Sequence, residues 1–111
     1  MFVRLAPNMN SPNLVYGQQP IAFTSFWKSV VQAVNLSPYR SNISFIWSPN
    51  AGVGYPWTGP YSARATVNAT EFAVLDTNKD GVLDIKDDPY GPYYPGDAYV
   101  DWVGLPVFDS R

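Results

Sequence analysis

The 111-residue chain carries seven Lys and Arg against nine Asp and Glu, with no Cys and no His, which removes thiol chemistry, disulfides, zinc clusters, Ser-His-Asp triads and imidazole acid–base catalysis from what it can do alone. Eleven Pro, eight Gly, four Trp, eight Tyr and six Phe describe a loop-rich, aromatic-rich chain, too apolar for disorder and sized for one small domain or a piece of a larger one. The formal charge of −2 hides an asymmetry: residues 1–70 hold Arg4, Lys28, Arg40 and Arg64 and no carboxylate, whereas residues 71–111 hold all the acids; four scattered cations make no nucleic-acid surface, and no stretch approaches the ~18 apolar residues of a membrane span.

The first element is the apolar run Phe2 to Leu5, stopped by Pro7, which reads as a buried strand. After a polar loop, Pro20 suits the first turn of a helix, and Phe23, Phe26, Trp27, Val30, Val31 and Val34 recur at spacings of three and four. An amphipathic helix over residues 20–34 is expected, ended before Pro38. A second buried strand, Ile43 to Trp47, terminates at Pro49. From Ala51 to Glu71 runs a long loop rich in Gly, Pro and aromatics, and "YVDWVGLPVF" gives a third strand. Trp27 and Trp102 are expected in the core. Strand, helix, strand with continuous apolar strands is the pattern of a parallel sheet with a crossover helix. Such a sheet needs cover on both faces, which one helix cannot give, so the chain reads as a slice of a larger α/β protein.

Between the loop and the third strand lies "DTNKDGVLDIKDD", residues 76–88. Ca²⁺ takes about six to eight oxygens, and an EF-hand type of loop supplies them from positions 1, 3, 5, 7, 9 and 12 with Gly at 6. Those positions are Asp76, Asn78, Asp80, the Val82 carbonyl, Asp84 and Asp87, with Gly81 at the turn. Asp87 stands where an EF-hand has a bidentate Glu, and no long flanking helices are visible, so a structural calcium site is expected and not a sensor. The bland alternative is a solvated cluster of Asx turns. Asn35-Leu36-Ser37, Asn42-Ile43-Ser44 and Asn68-Ala69-Thr70 are N-glycosylation sequons, the first followed by Pro38. The N-terminal stretch lacks the charged and apolar regions of a signal peptide. Sequons and a calcium loop without a leader predict that the natural chain starts upstream of Met1.

The segments "RLAPNMNSPNLVYGQQP", "FIWSPN" and "DPYGPYYPGDAYVDWVGL", in that order and spacing, resemble the middle of glycoside hydrolase family 26, the β-mannanase-like family of retaining (β/α)8 barrels. The likeness is closest to its fungal secreted members, which carry an Asp-rich calcium-type insertion in the same place. It implies a partial TIM barrel with Phe2–Ala6 as strand 4, residues 20–34 as the following helix, Ile43–Trp47 as strand 5 and Val100–Val107 as strand 6. The calcium loop then sits between strands 5 and 6 at the C-terminal face, where barrel active sites are built.

The resemblance also implies that hydrolysis has been lost. Retaining glycosidases use two carboxyl groups roughly 5–5.5 Å apart. The family's acid/base Glu falls on Asn8, an amide with no proton to give at neutral pH. The family's aromatic platform falls on Asn13, and a Tyr that binds the nucleophile falls on Phe108; the nucleophile itself lies on a strand beyond Arg111. Asn10, Trp47, Tyr55 and Trp57 are the implied sugar contacts, with Tyr61 beside them, and a β-mannan or other β-glycan is the implied partner of a secreted protein. Two readings stand beside the inert fragment: a carbohydrate-binding pseudoenzyme, and a calcium-stabilised structural or interaction domain whose barrel likeness misleads.

Overall fold

The computed structural model describes residues 1–11, 14–50, 68–84 and 86–104. Three strands form one parallel sheet in chain order: β1 (Phe2–Arg4), β2 (Ser44–Trp47) and β3 (Trp102–Val103). Val3 pairs with Phe45 and Arg4 with Ile46, while Ile46 also pairs with Trp102 and Trp47 with Val103. Helix α1 (Pro20–Asn35) connects β1 to β2, and a short helix α2 (Ala69–Leu75) precedes the Asp-rich loop. The molecule is an α/β structure, with β3 shorter than the expected strand; Leu105–Val107 of that stretch lie outside the described residues.

Successive side chains of a strand point to opposite faces, and among the described residues a helix covers only one of them. Phe45 and Trp47 point toward α1 and meet Phe23, Trp27 and Val31 from it, with Met9, Leu75 and Tyr93 completing the buried core. The aromatics pack edge to face or tilted, the favoured arrangement for their quadrupoles: Phe23 and Trp27 are 5.7 Å apart, Trp27 and Phe45 6.1 Å. Both indole N–H groups in this core are satisfied by backbone, Trp27 by the Tyr99 carbonyl at 2.7 Å and Trp47 by that of Tyr93 at 2.9 Å.

The expected helix is present with the expected inner face, but Phe26 is half exposed and Val30 and Val34 are only partly buried. The stripe is narrower than the spacing suggested because a three-stranded sheet cannot cover it all. Trp102 corrects the reading of the core: it is 60% exposed. Its register partner Ile46 lies on the face turned away from α1, where Phe2, Arg4, Ile46 and Trp102 border a shallow apolar concavity of about 300 Å³.

The other departure is α2, which falls partly in the stretch read as loop. Asn68 caps it, its side-chain oxygen accepting from the Glu71 N–H at 2.9 Å, the usual way of satisfying a first-turn donor. Glu71 then does something local sequence does not disclose. Its carboxylate is buried and accepts from the N–H groups of Ile21 at 2.7 Å and Ala22 at 3.1 Å. The start of α1 has no side-chain cap of its own and no acid in its first turn. A carboxylate fifty residues away supplies both the acceptors and the negative charge that a helix N-terminus favours.

Candidate metal centre

The Asp-rich loop leaves α2 at Asp76 and folds back on itself through hydrogen bonds from backbone N–H groups to its own carboxylates. Asp76 accepts from Asp80 N–H at 3.2 Å and Gly81 N–H at 2.8 Å; Asp80 accepts from Val82 N–H at 2.9 Å and from the Asn78 amide at 3.1 Å. Gly81, at loop position 6, has φ +85°, a left-handed backbone that glycine adopts without the clash a Cβ brings. Lys79 is left-handed too. The turn therefore has the sharpness that loop position requires.

The result is convergence of three carboxylates. Asp76, Asp80 and Asp87 each offer an oxygen, all within 4.8 Å of one another, with Asp76 and Asp87 buried and Asp80 exposed. These are loop positions 1, 5 and 12. Asp87 closes the ring by accepting from the Asp84 N–H at 2.9 Å and the Asn78 N–H at 3.4 Å. The Val82 N–H above all, with the Asn78 amide, Asp76 and the Lys86 charge behind it, holds the Asp80 carboxyl below the usual carboxylate range against the opposing effect of desolvation. Three oxyanions this close repel one another, and a hard cation between them removes that cost. The donor set is all oxygen, which suits Ca²⁺, Mg²⁺ or Mn²⁺ and not the softer zinc or copper ions.

The remaining loop positions are placed differently. Asn78 lies beside Asp80, and Asp84 stands outside the carboxylate cluster, with one oxygen accepting from the Lys86 N–H at 3.0 Å. Position 9 often reaches the ion through water, which fits an Asp set back from the centre. Sequence reasoning missed Thr77, whose hydroxyl accepts from the Asp88 N–H at 2.8 Å and lies 3.5 Å from Asp87. Its place beside the first ligand position was the only signal. Asp88 accepts from the N–H groups of Tyr90 and Gly91 and so caps the turn that follows.

The ends of β1 and β2 meet beside this loop. Asn8 follows β1 in a left-handed conformation, φ 60°, which Asn tolerates better than most residues; its N–H donates to the Ser48 carbonyl at 2.8 Å, just past β2. Ala6 is left-handed as well, at φ 44°. Asn10 is completely buried. Its side chain donates to the carbonyls of Asn50 at 3.0 Å and Pro89 at 3.3 Å and accepts from the Asn50 N–H at 2.9 Å. The Asn50 amide also donates to the Ser11 hydroxyl. One buried amide thus joins the turn after β1, the turn after β2 and the exit of the Asp-rich loop.

Asn10 and Trp47, expected as sugar contacts, therefore serve packing in this structure: Trp47 is buried with its N–H bonded to Tyr93, and Tyr94 stands edge-on to it at 5.1 Å. Tyr94 donates to Asp97, and that hydrogen bond to a carboxylate pushes the phenol above its ordinary range. Tyr55, Trp57, Tyr61, Asn13 and Phe108 lie outside the described residues. No family model matches the chain, and no curated protein or solved structure is significantly similar to it.

Proposed function

We propose that the chain is the central part of a family 26-like (β/α)8 glycoside hydrolase domain of a secreted protein, with β1, β2 and β3 as barrel strands 4, 5 and 6, that it holds Ca²⁺ in the loop from Asp76 to Asp87, and that it does not hydrolyse glycans. The observation that carries this reading is the joint made by Asn10. Consecutive parallel strands bring Asn8 and Asn50 together at their C-terminal ends, and the Asp-rich loop is tied to that end through Pro89. A (β/α)8 enzyme assembles its chemistry at this end. The apolar face around Ile46 and Trp102 supports the same reading, since further strands and their side chains would cover it. Asn8 at the acid position supplies no proton, so protonation of a leaving group is lost. The ion's work is to hold the loop in place, and Asp87 in place of a longer Glu suits a static site.

A second reading, a calcium-stabilised structural or interaction domain, is favoured by the burial of Asn10 and Trp47, which withdraws both from any sugar. A carbohydrate-binding pseudoenzyme stands between the two. Calorimetric titration with Ca²⁺, followed by retention on immobilised β-mannan and β-glucan with and without the ion, separates them. Calcium binding with glycan retention supports a surviving cleft, and calcium binding with no retention on either polysaccharide favours the structural domain. No heat with millimolar Ca²⁺ overturns the metal assignment in all of them.

A further inference from the structure

The three sequons differ in what their asparagines are doing. All three are exposed. The Asn35 side-chain oxygen is held by the Arg40 guanidinium at 2.7 Å, and Pro38 restricts the residue before it, the sequon's Ser37. The Asn68 oxygen caps α2, and Glu71 of that helix caps α1, so a bulky substituent there sits on the joint between two helices. The Asn42 side chain makes no hydrogen bond among the described residues. It closes a 3-10 turn, Arg40–Asn42, with its N–H donating to the Tyr39 carbonyl at 2.9 Å. Tyr39, whose carbonyl takes that N–H, stands at the other end of the same turn and is 66% exposed. Asn42 also lies at the start of β2, the opposite end of the sheet from Asn8 and Asn50, where a large polar substituent obstructs neither the strand ends nor the Asp-rich loop.

We propose that Asn42 is an N-glycosylation site and that the apolar face of its first N-acetylhexosamine packs on the Tyr39 ring. The attachment rests on the secreted localisation proposed above. The Asn42 Nδ2 attacks the anomeric carbon of a polyprenyl-diphosphate-linked oligosaccharide; the C1–O bond to the diphosphate breaks, polyprenyl diphosphate leaves, and the amide gives up one proton, with no change of oxidation state. The packing is the general contact between an aromatic face and sugar C–H groups, and the glycan adds a solubilising cover where Met1 and Tyr39 leave apolar surface exposed.

The full chain, translated behind a cleavable leader with secretory microsomes and recovered as the protease-protected fraction, is treated with N-glycosidase in ¹⁸O water. Asn42 is expected to appear as labelled Asp, and the label to vanish in Asn42→Gln and in Ser44→Ala. A protected chain with unlabelled Asn42 overturns the site. The glycosylated chain is expected to melt higher than the enzymatically trimmed one, and that difference to disappear in Tyr39→Ala. A difference that persists in Tyr39→Ala, or none in the natural sequence, overturns the packing. Because the leader imposes entry into the compartment, this outcome is independent of the calcium and glycan measurements.

Discussion

Asn10 is the residue on which the turns depend most. Replacing it by Ala removes three part-buried hydrogen bonds that tie the turns together, with the N–H and carbonyl of Asn50 and the carbonyl of Pro89, each contributing about 0.5–1.5 kcal/mol. Asn10→Ala is therefore expected to lower the urea midpoint strongly with or without glycan present; a variant that folds as well as the parent would return Asn10 to the list of sugar contacts. Glu71 gives a second test at this scale. Its two charge-assisted bonds to Ile21 and Ala22 are made in a buried setting, where bonds of this type contribute roughly 1.5–3 kcal/mol each before the cost of burying the charge is subtracted. Glu71→Ala is expected to destabilise by about 2 kcal/mol, read in urea melts, and Glu71→Gln by less, because the amide oxygen still accepts one bond. Equal melts for all three proteins would mean that solvent caps α1 equally well.

The Asp-rich loop is the element on which the proposed ion would act. A ligand that binds only the folded form stabilises by RT ln(1 + [L]/Kd), about 2.7 kcal/mol at a hundredfold excess over Kd. Calcium is expected to raise the melting temperature in a concentration-dependent way, and Mg²⁺ to do so less, since it demands tighter octahedral geometry and sheds water reluctantly. Asp87→Asn should remove the calcium effect and also lower the calcium-free melt, since its amide can replace only one of the two accepting oxygens that close the loop; an unchanged calcium response in that variant would move the site away from Asp87. The cluster of Asp76, Asp80 and Asp87 was legible in the sequence because its residues are local: their spacing and one glycine define the turn. Helix α1 was legible for a similar reason, with Phe23, Trp27 and Val31 repeating at helical spacing and Pro20 at the start. Helix α2 was harder to see because it has only seven residues and its glutamate acts on a helix fifty residues away. Alternation along β2 and β3 divides residues between two faces but does not say which face is covered, and this is why Trp102 was assigned to the core. Asn10 and Trp47 show the same limit. Position after a strand marks a residue for the site end of the sheet, but burial there depends on how the turns close over it.

At the scale of the whole molecule, the sheet formed by the described residues has one face packed on α1, an apolar concavity on the other, and β1 and β3 at its edges. Phe2 and Trp102 are both more than half exposed beside Ile46, and exposed apolar surface next to unpaired strand edges favours association. The isolated chain is expected to self-associate and to bind a hydrophobic dye, and Trp102→Glu to reduce both; a monodisperse, dye-negative monomer with a sharp melt would contradict this. Catalysis is set at the same scale, because a retaining glycosidase needs two carboxyl groups delivered by different strands to opposite sides of one bond. General acid help is worth about 10²–10⁴-fold and only where the rest of the machinery stands. Each carboxylate among the described residues already accepts a hydrogen bond from its own fold. Asp76, Asp80, Asp84 and Asp87 hold the Asp-rich loop; Asp88 caps a turn, Asp97 takes the Tyr94 hydroxyl, and Glu71 caps α1. Asp101 accepts from the Phe45 N–H at 2.8 Å and faces Arg40. Asn8→Glu alone is therefore expected to give no hydrolysis of β-mannan or β-glucan and no covalent glycosyl adduct with an activated 2-fluoro-glycoside by intact mass spectrometry. A stoichiometric adduct on either the natural chain or the variant would reveal a nucleophile outside this inventory and end the reading of the chain as inert.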